Sequence, residues 1–90
     1  MATVLVQHRV QDYDAWRHVY DSAKDMQTAG GVLDEAVFRL EGDANNILVM
    51  HRFETLQAAH DYFENPELLE AVRQAGVDEA TVRLEFYKEA

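Results

Sequence analysis

Ninety residues suit one small domain and are too few for two. The 17 Asp and Glu against 8 Lys and Arg leave a net charge of −9, which argues against a surface built to hold nucleic acid or an anionic membrane. The chain has no cysteine, so neither a disulfide nor a zinc–thiolate site can supplement the small core, and extra stability is expected from a partner subunit.

Hydrophobic residues make up 48% of the chain, a normal share for a folded protein. No apolar run approaches the ~20 residues of a membrane helix. The opening Met-Ala-Thr-Val-Leu-Val-Gln-His enters a strand pattern directly and lacks the basic start and long apolar core of a signal peptide. A soluble, cytoplasmic protein is expected.

Residues 3–10 alternate and are rich in β-branched side chains, which predicts a strand. The period then changes. Tyr13, Trp16, Val19 or Tyr20, Ala23 and Met26 form one helical stripe, with Asp12 as N-cap, Asp14 in the first turn and Gly30-Gly31 as the stop. Residues 33–41 and 47–53 predict two strands, joined as a hairpin through Gly42-Asp43-Ala44-Asn45-Asn46. Thr55 caps the next helix, whose buried side carries Leu56, Ala59 and Phe63. Asn65-Pro66-Glu67 is a second helix start, so two short helices with a break at Asn65 are expected. Leu68, Leu69, Val72 and Ala75 continue the apolar face up to Gly76. Residues 81–87 alternate again, with Val82, Leu84 and Phe86 on one side.

This order, β-α-β-β-α-β, predicts an α+β ferredoxin-like domain: a four-stranded antiparallel sheet with the helices on one face. The hairpin register that keeps apolar residues together places Val4, Val6, His8, Val10, Ala36, Phe38, Leu40, Ile47, Val49, His51, Phe53, Val82, Leu84 and Phe86 under the helices. The opposite face then carries Leu5, Gln7, Arg9, Val37, Arg39, Leu48, Met50, Arg52, Arg83, Glu85 and Tyr87. An apolar centre with a polar rim predicts a self-association surface, hence a homodimer, with Arg9, Arg39, Arg52, Arg83 and Glu85 in cross-sheet or intersubunit ion pairs.

Several stretches resemble small bacterial proteins of the dimeric α/β-barrel superfamily. They are His8-Arg9-Val10-Gln11-Asp12-Tyr13-Asp14-Ala15-Trp16, Val37-Phe38-Arg39 before an acidic turn, Phe53-Glu54-Thr55-Leu56-Gln57-Ala58-Ala59, Asn65-Pro66-Glu67-Leu68 and Ala75-Gly76-Val77. The likeness covers nearly the whole chain and is nearest to proteins related to antibiotic-biosynthesis monooxygenases and cyclases. It implies sheet-to-sheet dimers and a ligand cavity between sheet and helices. It also implies cofactor-independent chemistry on an aromatic or polyketide-like compound. The superfamily hosts several activities, so the fold does not choose among them.

His8 and His51 interrupt otherwise apolar runs, and both are expected under the helices. A polar ring there must be hydrogen-bonded or line a cavity. A neutral imidazole, with an ordinary pKa of about 6.5, suits a general base or proton shuttle. A histidine packed against helix backbone or Tyr fits the same pattern. Tyr13, Trp16, Tyr20, Phe38, Phe63 and Phe86, with Phe53, are candidates to line an aromatic pocket, and aromatics at helical spacing also fit plain core. No metal-ligand spacing is present. A haem would need an axial ligand from His8, His51 or His60, and nothing selects one. The lone Ser22 and the Gly30-Gly31 pair match neither a nucleophile elbow nor a phosphate loop.

The expected function is a small-molecule pocket of the monooxygenase-like or cyclase-like kind, needing no cofactor, with His8 or His51 moving a proton. The alternative is a non-catalytic ligand-binding or structural stress-type homodimer.

Overall fold

The computed structural model describes residues 1–90. The elements run β1 (Ala2–Val10), α1 (Tyr13–Ser22), α2 (Lys24–Ala29), β2 (Asp34–Leu40), β3 (Asp43–Phe53), α3 (Leu56–Phe63), α4 (Pro66–Gln74) and β4 (Val77–Lys88). The four strands form one antiparallel sheet in the order β2-β3-β1-β4. The ferredoxin-like expectation holds.

Helix starts follow the caps. The Asp12 side chain accepts from the Asp14 N–H at 3.2 Å, Thr55 from Ala58 at 3.1 Å, and Asn65 from Glu67 at 2.9 Å with Pro66 in the first turn. The single helix expected to run through Met26 is instead interrupted at Ala23. Just before the break the Ser22 hydroxyl donates to the Val19 carbonyl at 2.6 Å, the local side-chain bond that competes with a helical ladder.

Two buried clusters meet the sheet. Val10, Trp16, Ile47, Val49 and Ala75 form one, and Val4, Phe53, Ala59 and Tyr62 the other. Phe53, Ile47 and Val4 are fully enclosed, each contributing about 1.5–3 kcal/mol of burial. Tyr62 lies three residues after Ala59 on the inner stripe of α3, and the expected trio of Leu56, Ala59 and Phe63 omits it.

The hairpin corrects the predicted faces. The turn is only Glu41-Gly42, with Gly42 at φ 85°, and Leu40 pairs with Asp43. The next pair is Arg39 with Ile47, so Ala44, Asn45 and Asn46 bulge out of β3. That offset of three residues inverts the parity of β2. Glu35 now lies beside His51 and Val37 beside Val49, while Phe38 sits beside Leu48 on the open face. Ala36, Phe38 and Leu40 therefore face away from the helices, and Val37 and Arg39 face them. Phe38 is 53% exposed and lines no pocket beneath the helices. The Arg39 guanidinium lies 3.8 Å over the Tyr13 ring and its Nε donates to the Ala44 carbonyl at 2.9 Å, which ties down the bulge. Arg39 and Arg52 form no ion pair within the chain; Arg9 pairs with Asp43, and Arg83 with Glu85 at 3.6 Å.

A second irregularity explains why β4 begins at Val77 and not at 81. The register shifts between Gln7 and Arg9, where residues 79–82 detour opposite His8. The Thr81 hydroxyl accepts from the Arg9 N–H at 2.9 Å and donates to the Asp78 carbonyl at 2.6 Å, holding the detour in place.

Candidate functional site

Tyr13, Trp16 and Tyr20 fall on one stripe of α1, the three- and four-residue spacing that stacks side chains on a helix face. Their rings bridge the two sheet histidines. His8 meets Trp16 at 5.7 Å between centroids, Trp16 stacks on Tyr20 at 4.9 Å, and Tyr20 lies over His51 at 6.1 Å. The histidines themselves are four steps apart along the ladder, since His51 pairs with Val4 and His8 with Ile47. Both are buried, and Nδ1 of each has no hydrogen-bond partner.

His51 is the better connected. Its Nε2 lies 3.1 Å from the Tyr20 hydroxyl, which in turn lies 2.5 Å from Glu35 Oε1. Phe63 stacks on its ring at 5.9 Å, and Tyr62 approaches edge-on at 5.8 Å. Burial pulls the His51 imidazole down to about 4, Glu35 opposing and Lys24 assisting. The ring is therefore neutral at pH 7. Burial also lowers His8. The Tyr20 phenol is pushed up by burial and further by the Glu35 carboxylate beside it, so it remains protonated. Burial alone pushes Tyr62 up to about 12.

Next to this group lies a cavity of about 60 Å³, lined by Trp16, Val19, Tyr20, Ala23, Gln27, His51, Tyr62, Leu68, Ala71, Val72 and Ala75. It is apolar apart from Gln27, His51 and the two tyrosine hydroxyls. Helix α4 closes it with the face carrying Leu68, Ala71 and Val72, yet no α4 residue is fully buried. On the far side, Lys24, Gln27, Thr28, Val32, Leu33, Asp34 and Glu35 line a polar pocket of about 140 Å³. The His51–Tyr20–Glu35 chain thus runs from an apolar cavity to a polar one.

Of the expected site residues, the cavity brings together Trp16, Tyr20 and His51. The others lie outside its walls. His8 packs on Trp16, Tyr13 sits under Arg39, and Phe63 and Phe86 meet edge to face at 5.9 Å beyond His51. Phe86 also stacks with His60 at 4.0 Å. Phe38 is on the opposite face of the sheet. Glu35, Gln27 and Tyr62 escaped the sequence reading. Tyr62 had a signal in its spacing from Ala59; Glu35 had none without the bulge. No group of three or more His, Asp or Glu is placed to hold a metal ion.

No family model matches the chain, and no curated protein does. Solved structures do. The cofactor-independent oxygenase SnoaB of Streptomyces nogalater superposes with a TM-score of 0.78 at 12% identity, over 99% of this chain and 92% of that one. Proteins assigned to the antibiotic biosynthesis monooxygenases superpose equally fully. The one from Deinococcus radiodurans gives 0.73 at 14% identity, covering 100% and 93% of the two chains, and the one from Caulobacter crescentus 0.80 at 13%, covering 99% and 89%. The chain has the antibiotic biosynthesis monooxygenase fold. At such identities the likeness is one of architecture, and the chemistry must be argued from the site. In this version of the fold, the cleft between sheet and helices holds the His51–Tyr20–Glu35 chain and a small apolar cavity beside it.

Proposed function

We propose that the protein binds a small aromatic or polyketide-like compound in the cleft between sheet and helices and removes a proton from it. This is the opening step of oxygenation or cyclisation, because both start from an electron-rich phenolate or enolate. The observation that carries the reading is His51: a buried neutral imidazole at the wall of an apolar cavity, held by Tyr20 and left with one unpartnered nitrogen. A ligand hydroxyl is the donor that this nitrogen lacks. Leaving a buried acceptor unpaired costs about 1–3 kcal/mol, a penalty that such a ligand relieves. The dry site makes His51 a weak base when empty. An anion forming beside it stabilises the imidazolium and raises its basicity at the moment of transfer. His8 acts one ring removed, by packing against Trp16. No cofactor is needed for this step.

A cavity of about 60 Å³ admits a few waters or the edge of one ring, against roughly 300–1,000 Å³ for ordinary ligand sites. Binding therefore opens the cleft. Helix α4 is the element that moves, because it contributes no fully buried residue and is flanked by Asn65-Pro66 and by Gly76 at φ 77°. The small volume also favours the second reading, a non-catalytic homodimer whose histidines are packed.

Two copies associate through the open sheet face. Leu5, Ala36, Phe38, Leu40, Leu48, Met50 and Tyr87 share it, and Phe38, Leu40 and Tyr87 are 53, 54 and 48% exposed in the single chain. The bulge in β3 strengthens this expectation, since it adds Phe38 and Leu40 to that face.

A panel of phenols and quinones tests the ligand reading. Saturable quenching of Trp16 with a rise in melting temperature supports it, and no response across the panel defeats it. Replacing His51 with Gln separates the two readings: lost turnover in a folded protein favours the enzyme, and lost stability with no catalytic phenotype favours packing.

A further inference from the structure

Glu35 reaches the site only because of the bulge at residues 44–46, which turns it inward as the cross-strand partner of His51. The Tyr20 oxygen stands between the two side chains, 2.5 Å from Glu35 Oε1 and 3.1 Å from His51 Nε2. A phenol has a single proton to donate, and a carboxylate only accepts. The shorter bond, to the charged acceptor, takes that proton. The Tyr20 oxygen then offers His51 only lone pairs, and a neutral imidazole beside it must donate from Nε2. Its remaining lone pair is on Nδ1, the atom with no partner in the fold.

We infer that Glu35 is a positioning residue: through the Tyr20 hydroxyl it fixes His51 as the Nε2–H tautomer and reserves Nδ1 as the acceptor for an incoming ligand. Glu35 touches no reacting atom. It sets which nitrogen is available, as the buried acid of a hydrolytic triad orients its histidine. The role of Nδ1 as ligand acceptor rests on the proposed function, whereas the tautomer is a property of the unliganded protein and can be read without any substrate.

The test is ¹⁵N NMR of the histidine-labelled chain at neutral pH, in which the two ring nitrogens of His51 distinguish the tautomers. The wild-type ring is expected to be mainly Nε2–H. Glu35→Leu frees the Tyr20 proton for Nε2, and the ring is expected to invert to mainly Nδ1–H. Tyr20→Phe cuts the link and is expected to give a mixture of both forms. A wild-type ring that is mainly Nδ1–H overturns the inference, as does an unchanged tautomer in folded Glu35→Leu. Should Glu35→Leu not fold, an unchanged Nε2–H ring in Tyr20→Phe overturns it equally. A correct tautomer in a protein that answers to no phenol or quinone would defeat the proposed function and leave this inference standing.

Discussion

The Tyr20 hydroxyl on α1 lies 3.1 Å from Nε2 of His51 on β3, joining helix to sheet across the apolar layer between them. Glu35 on β2 holds the same hydroxyl from the other side. A partly buried polar chain of this kind is stabilising only while every link is made.

Tyr20→Phe removes the middle link and keeps the ring. It strips a partner from both His51 and Glu35, so a loss of about 1–3 kcal/mol is expected in urea unfolding. A change below about 0.5 kcal/mol, the range of an inert surface substitution, would mean that the chain carries no stability.

Stability should fall on mild acidification. His51 has an ordinary pKa of 6.5 when unfolded and about 4 when folded, so the unfolded chain binds the extra proton first. Its contribution is complete above pH 6.5, declines as the pH drops toward 4, and amounts to about 3 kcal/mol. His8 acts in the same direction. Unfolding of the wild type and of His51→Leu, measured from pH 7.5 to 4, should show the variant's curve flatter by that amount. Parallel curves would contradict the assignment.

Gly30 and Gly31 should respond differently to alanine. A Cβ on Gly30 collides with the Tyr62 ring, which is buried and cannot retreat, so Gly30→Ala should cost about 1–3 kcal/mol. A Cβ on Gly31 meets nothing, but its φ of 91° is strained for alanine and costs about 1–2 kcal/mol. Thermal melts that leave Gly30→Ala unchanged would show that Tyr62 does not sit against α2.

The open face should be where copies meet. Phe38→Glu puts a charge at its apolar centre, and sedimentation should turn from dimer to monomer with the fold retained by circular dichroism. An unaltered sedimentation profile would place the contact elsewhere.

Much of the architecture was legible from local signals. Alternation marked the strands, and Asp12, Thr55 and Asn65-Pro66 marked the helix starts through side-chain bonds that depend on a few neighbouring residues. The faces of β2 were not legible. Ala44-Asn45-Asn46 reads as part of a turn, and only the pairing of Arg39 with Ile47 makes it a bulge. That long-range choice displaced Phe38 from the site and installed Glu35 in it. His51 stood out because a polar ring breaks an apolar run, whereas a glutamate on a strand with charged neighbours carries no such contrast. Tyr62 was available from the spacing of α3, since it follows Ala59 by three residues.

The proposed function requires that the cleft beside His51 take a ligand. Ala71 lies on the α4 wall of the cavity, and Ala71→Leu fills the space while leaving the residues His51, Tyr20 and Glu35 themselves unsubstituted. Titration of Trp16 fluorescence with phenols and quinones should give saturable quenching in the wild type that weakens at least about tenfold in Ala71→Leu, a difference of 1.4 kcal/mol. Equal quenching in both proteins, or none in the wild type, would contradict a binding site between the sheet and its helices.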